Sequence, residues 1–251
     1  MKRFFVEEII VNEGTCSITG PEAKHISKVL RMRSGDRLTL IDRKGTRFLA
    51  LITSVGQREV LVALEKSLPK PSPSPIEITL CQAMIKPRQM DHIIQKTSEL
   101  GVDCILPFSS KRTVVSLSKD RLANKISHWR EIAQNSTKQS DRGTPVKIRS
   151  VVYFNELMAK WKDENALKVI LWEEEKAKDL KSLLSGSSPL RKFVGVVGPE
   201  GGFIQQEVEL ARDAGFISVS LGSRILRSET AAITVVAIAQ YEWGDLSLGK
   251  S

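Results

Sequence analysis

The stretch Leu68-Pro69-Lys70-Pro71-Ser72-Pro73-Ser74-Pro75 constrains this chain more than any other. Proline at every second position removes backbone donors and locks φ, so neither a helix nor a central strand can run through it. What remains is a semi-rigid extended spacer. With 251 residues, the chain has room for a small domain and a medium one. We therefore expect a domain over 1–68, a Pro/Ser linker over 69–75 and a second domain over 76–251.

The two parts are patterned differently. Before the spacer, β-type runs fall at 3–6, 15–19, 37–41, 47–55 and 59–64, interrupted by one helical stretch at 22–31. Short strands parted by Gly and Asp turns predict a small β-barrel. After the spacer, strand-like runs at 76–84, 104–108, 146–152, 167–172, 193–197 and 217–221 alternate with helical stretches. Those helices are expected at 90–100, 119–139, 155–161, 179–184, 205–213 and 229–243, with Gly101 closing the first of them. The alternation predicts an α/β domain whose mostly parallel sheet is covered on both faces.

Charge points toward a polyanion. The net charge is +9, and between positions 24 and 47 it is concentrated in Lys24, Lys28, Arg31, Arg33, Arg37, Arg43, Lys44 and Arg47, opposed only by Asp36 and Asp42. Phosphates neutralised by such a cluster release condensed counterions, which drives nucleic-acid binding; a solvated basic face is the alternative. The longest apolar run, 231–239, is far short of the ~20 residues that span a bilayer. Acidic Glu7 and Glu8 arrive before any signal-peptide core could form, so a cytoplasmic protein is expected. Cys16, Cys81 and Cys104 form no CxxC pair and are expected as buried free thiols. His25, His92 and His128 are scattered, so no metal is expected.

Two stretches carry chemistry. In the first, an apolar strand at 193–197 runs into Gly198-Pro199-Glu200-Gly201-Gly202 and then into a helix. Glycines there let a backbone approach a ligand beyond the carboxyl end of a strand, although a tight turn without ligand has the same composition. It is neither a phosphate-gripping P-loop, lacking the Lys-Ser/Thr pair, nor a dinucleotide fingerprint, lacking GxGxxG. In the second, Ser220-Leu221-Gly222-Ser223-Arg224-Ile225-Leu226-Arg227-Ser228-Glu229 leads from a strand into an apolar helix. Ser228 is expected as its N-cap, with Glu229 favoured in the first turn. Arg224 and Arg227 stand where the helix dipole disfavours cations, which an anionic partner would explain.

Together these stretches, GPEGGF followed by LGSRILRSETA, resemble the 16S ribosomal RNA uridine N3-methyltransferases of the SPOUT superfamily. The likeness extends over the chain. Arg3-Phe4-Phe5-Val6, 25–31 and Gly35-Asp36 resemble that family's PUA-like RNA-binding domain. Lys86, 94–96, 99–102 and Pro107 resemble the opening of its methyltransferase domain, and Arg112, Gln139-Ser140, Arg142 and Pro145 its middle motif. Lys111 and Asp141 depart from the usual pattern.

The resemblance implies a PUA-like β-barrel joined to a SPOUT domain with a trefoil knot, an exception to the rule that chains do not thread. It implies S-adenosylmethionine as the methyl donor, held by Leu171, by Gly198, Pro199, Glu200, Gly201 and Gly202, and by Leu221, Gly222, Ile225, Leu226 and Arg227. It implies 16S rRNA in the small ribosomal subunit as partner, contacted by Arg3, Lys24, Lys28, Arg31, Arg33, Arg112 and Arg142, and a homodimer through the C-terminal helix and knot region. Uridine N3 must lose a proton to attack, so a cation near the developing anion is required, with Arg227 or Arg142 as candidates and Glu229 to orient it or take the proton. The same Glu229 and Arg142 could instead serve only as cap and phosphate contact. A non-catalytic RNA binder and, more distantly, a nicotinamide enzyme are the rival functions; only the methyltransferase gives both glycine loops a purpose.

Overall fold

Proline and charge patterns resolve into two compact units in the computed structural model, which describes residues 2–10, 14–42, 45–69, 74–113, 119–140, 142, 146–188 and 190–246, apart from the side chains at 119, 120 and 138. Arg43, Lys44, Asp141, Pro145 and positions 70–73 of the spacer lie outside the described residues. One unit comprises Met1–Pro73 with Thr137–Pro145, and the other Ser74–Ser136 with Val146–Ser251.

In the first unit, β1 (Lys2–Phe5), β2 (Thr15–Thr19), β3 (Arg37–Ile41), β4 (Arg47–Val55) and β5 (Glu59–Leu68) form one sheet in the order β1-β3-β4-β5-β2. All neighbours are antiparallel except β1 and β3. Alternation puts Cys16 and Ile18 of β2, Leu38 and Leu40 of β3, and Val60 and Val62 of β5 into one core. Among the described residues no ladder joins β1 to β2, so the expected barrel is a curled sheet. The helix expected at 22–31 is α1 (Gly20–Lys24) running into a π-helical turn at His25–Val29. That turn ends on Arg31, the one described non-glycine residue with positive φ, at +49°.

The second unit carries β6 (Glu77–Ala83), α2 (Pro87–Glu99), β7 (Cys104–Ser109), α3 (Lys119–Ser140, its last turn belonging to the first unit), β8 (Lys147–Ile148), β9 (Val152–Tyr153), α4 (Phe154–Trp161), β10 (Leu167–Leu171), α5 (Leu180–Ser185), β11 (Lys192–Val197), α6 (Gln205–Asp213), β12 (Ile217–Val219) and α7 (Ser228–Trp243). The run expected at 146–152 is thus two short strands rather than one. The sheet order is β12-β10-β11-β6-β7-β8, with β9 also on β7, and every pair is parallel.

Period-two alternation along β11 explains the two cores. Phe193 and Val197 face a core with α2, α3, α5 and α7, whereas Val194 and Val196 face one with α4 and α6. A β-carbon on Gly195, between them, would come within 3.5 Å of Val235, so α7 passes close over this strand. Gln240, fully buried near the end of α7, donates to the Gly101 carbonyl at 2.9 Å, and its side chain fills the space a β-carbon on left-handed Gly101 would need. On the other face, buried Lys168 donates to the carbonyls of Trp161, Lys162 and Ala214 at 2.8, 3.0 and 3.1 Å. A single cationic side chain thereby caps the C-terminal ends of both α4 and α6, where helix dipoles favour it.

Candidate functional site

Strands β10, β11 and β12 are neighbours or next neighbours in the parallel sheet and end at Leu171, Val197 and Val219. That carboxyl edge is where open parallel sheets hold ligands. The loops leaving it, with the exit of β6 and the first turn of α7, wall a cleft of about 580 Å³.

The glycine loop owes its course to local sequence. Pro199 ends the strand, and left-handed Gly202 turns the chain with its N–H donating to the Pro199 carbonyl at 3.0 Å. The side chain of buried Glu207 then accepts from the Ile204 N–H at 3.1 Å, starting α6, and from the Lys111 N–H at 2.9 Å. The second bond holds the 110–113 turn, from which Arg112 donates to the Gly201 carbonyl at 2.7 Å.

Leu171, Gly198, Pro199, Glu200, Gly202, Leu221, Gly222, Ile225, Leu226 and Arg227, all singled out in the sequence, line the cleft. Gly201 does not: its carbonyl is turned toward Arg112, because the chain reverses between Pro199 and Gly202. Ile225, at 88% exposed, stands on the rim and not in a buried wall. Arg227 and Glu229 both reach the cleft, whereas Arg142 belongs to the first unit, where its carbonyl accepts from Arg47 at 3.4 Å. Arg3, Lys24, Lys28, Arg31 and Arg33 are also in the first unit; all are exposed except half-buried Arg3, whose guanidinium reaches the Gln139 carbonyl at 3.5 Å.

Ser228 has a different job from the one expected. The helix begins at Ser228 itself, with Arg227 as its cap residue and no side-chain cap bond. The buried Ser228 hydroxyl donates instead to the Gly198 carbonyl at 2.6 Å and accepts from Gln82 Nε2 at 3.0 Å. The end of β6, the glycine loop and the start of α7 are thus tied by one buried chain of hydrogen bonds.

Lys86, Trp172 and Glu173 also line the cleft, although the sequence reading named none of them as a site residue. Each follows the end of a strand within three residues, so extending the carboxyl-edge rule to β6 and β10 would have found them. Behind Trp172, the Arg212 guanidinium lies 5.5 Å from its ring and pairs with Glu175 at 3.3 Å. Ser218 donates to the same carboxylate at 2.5 Å, a bond that holds Glu175 below the usual carboxylate range. The cleft therefore has an aromatic wall with a fixed backing, three cations (Lys86, Arg224, Arg227) and three carboxylates (Glu173, Glu200, Glu229). Among the described residues, no three His, Cys, Asp or Glu side chains gather as metal ligands.

Comparison with known proteins accounts for both units. Residues 72–240 match the model of an RNA methyltransferase domain, and residues 18–65 that of an RNA methyltransferase PUA domain. Ribosomal RNA small subunit methyltransferase E of Bacillus subtilis is 30% identical, with 96% of this chain and 97% of that protein covered. The enzyme of the same name from Neisseria gonorrhoeae, solved bound to S-adenosylmethionine, is 32% identical with a TM-score of 0.88, covering 98% of this chain and all of that one. A Legionella pneumophila methyltransferase solved with the same donor is 32% identical with a TM-score of 0.87, covering 97% and 98%.

Proposed function

The chain belongs to the RNA methyltransferase family that includes the ribosomal RNA small subunit methyltransferases E, and from that premise we propose that it transfers a methyl group to N3 of a uridine in 16S rRNA. It is an S-adenosylmethionine-dependent rRNA methyltransferase. The observation that carries this reading is the cleft where β10, β11 and β12 end, walled by two glycine loops and similar in fold to relatives that hold the donor. Its volume and mixed polar and apolar lining suit a ligand of that size.

When bound, the donor supplies an electrophilic methyl on a sulfonium; the protein must align it and prepare the acceptor. Leu171, Leu221 and Leu226 provide apolar walls for a purine ring, and the glycine loops leave backbone groups close to it. Arg227 lines the same cleft and is the cation we assign to the developing uracil anion, with Glu229 two residues on, in the first turn of α7, to orient it or receive the proton. N3 lies on the Watson–Crick edge, so the target base must be unpaired or splayed out to enter. Lys24, Lys28, Arg31 and Arg33 would hold flanking phosphates, and Arg3, Arg112 and Arg142 are further RNA contacts in this reading.

The test is direct. Calorimetric titration with S-adenosylmethionine should give saturable binding, and mass mapping of 16S rRNA from cells lacking the protein should show loss of one methyluridine. Arg227→Ala should cut turnover at least about a hundredfold while donor binding survives; normal turnover in that variant removes Arg227 from the mechanism.

Two finer points belong to the same reading. The outward face of α7 presents half-buried Ile233 and Ala237 beside exposed Tyr241, an apolar stripe that a second copy would cover. A monomer by sedimentation at micromolar concentration would refute that dimer. The trefoil knot is part of the proposal too, supported by the strand order, in which β11 lies between β10 and β6. No described helix is long and apolar enough to cross a membrane, and action on 16S rRNA of the small ribosomal subunit in the cytoplasm completes the reading.

A further inference from the structure

Methyl transfer changes the charge of the donor at one atom. As the S–CH₃ bond breaks, its electron pair stays on sulfur and the sulfonium becomes a neutral thioether. The methyl carbon bonds to uridine N3, whose proton leaves. Adenine, ribose, ammonium and carboxylate are the same in donor and product. A cleft that gripped only those shared parts would hold both equally well and gain nothing in turnover from the grip. A negative group facing the sulfur would tell the two apart by their charge.

Three carboxylates line the cleft, and their settings differ. Glu200 is exposed on the outer turn of the glycine loop. Glu229 lies in the first turn of α7, where the helix N-terminus already favours it. Glu173 leaves the end of β10, and its carboxylate occupies the volume that a β-carbon on Gly202 would need. It therefore rests against the backbone of the glycine loop, between two strand exits. No hydrogen bond or ion pair engages it among the described residues, whereas Glu175, two positions on, is tied to Ser218 and Arg212.

We propose that Glu173 makes the cleft prefer the cationic donor to its neutral product, so that fresh donor outcompetes spent product for the cleft. The inference rests on the donor-cleft reading above. Because Glu173 is solvent-exposed, water screens its field, and the preference it confers is about three- to tenfold.

The experiment is calorimetric titration of the full-length protein with S-adenosylmethionine and, separately, S-adenosylhomocysteine. Glu173→Gln, which keeps shape and removes charge, should weaken the donor about three- to tenfold and leave the product unchanged. Glu173→Asp should retain most of the preference, and Glu200→Gln and Glu229→Gln should leave the ratio as in the parent; thermal melts establish that each variant is folded. Equal weakening of both ligands by Glu173→Gln would mean that it grips the shared ammonium, and would overturn the proposal. So would an unchanged ratio, or a ratio that moves with Glu200 or Glu229 instead. A parent protein that binds the product but not the donor also sinks it. Binding of neither ligand overturns the donor-cleft reading itself, and this inference with it.

Discussion

Among the described residues, the first unit buries only Asp42 and Arg47 of its charged side chains, whereas the second builds its cleft and helix ends on buried polar groups. Lys24, Lys28, Arg31 and Arg33 are exposed, and their side chains make no hydrogen bond or ion pair among the described residues. Gln82, Lys168, Glu207 and Ser228 are all buried and bonded to backbone or to one another. An exposed cation acts through a field that tolerates imprecise geometry and is screened by salt. A buried polar group acts through geometry, and leaving its partner unmet costs far more than the bond contributes. The two surfaces should therefore fail in different ways: one gradually and with salt, the other abruptly and without it.

Lys168→Met should produce the largest effect. It strands three carbonyls, the one at Ala214 in a buried setting, and uncaps α4 and α6 together. We expect a loss of about 3 kcal/mol, seen as a fall of about 6–10 °C in melting temperature. A melting curve within a degree of the parent would show that buried polar groups in this unit are not critical, and would dissolve the contrast.

Ser228→Ala comes next. Removing the hydroxyl leaves the Gly198 carbonyl and the Gln82 amide without a shared partner at the edge of the cleft. Donor affinity should fall about tenfold, with little dependence on salt between dilute and physiological buffer. Steep salt dependence of that loss would contradict the division drawn here.

Arg31→Gly should have the smallest effect, and its two parts should have opposite signs. Arginine is held at a φ of +49°, a conformation that glycine adopts freely. Glycine should therefore stabilise the first unit by about 1 kcal/mol. RNA affinity should meanwhile fall two- to threefold, and the slope of log affinity against log salt by about one. Stabilisation without any change in RNA binding would make the strained arginine an accident of the turn and sharpen the RNA surface to its neighbours.

How much of this was legible in the sequence follows from how far each feature reaches along the chain. Alternation in 193–197 placed β11 within a residue, and helical spacing in 90–100 placed the end of α2 within a residue and its start three residues late, because side-chain direction in a strand or helix is set locally. The glycine loops were visible for the same reason. The π-turn after α1 was not, since its hydrogen-bond pattern leaves the apolar spacing of a helix almost unaltered.

By itself, then, the sequence determined most of the elements and the two bends that wall the cleft, all properties of neighbouring residues. Only the tertiary structure decided that Ser228 would serve Gly198 instead of its own helix, that Lys168 would cap two helices, and that Glu173 would lie on Gly202. Those meetings join residues about 30 or more apart in most cases. They exist because the sheet sets β11 between β10 and β6, an order that no local periodicity encodes.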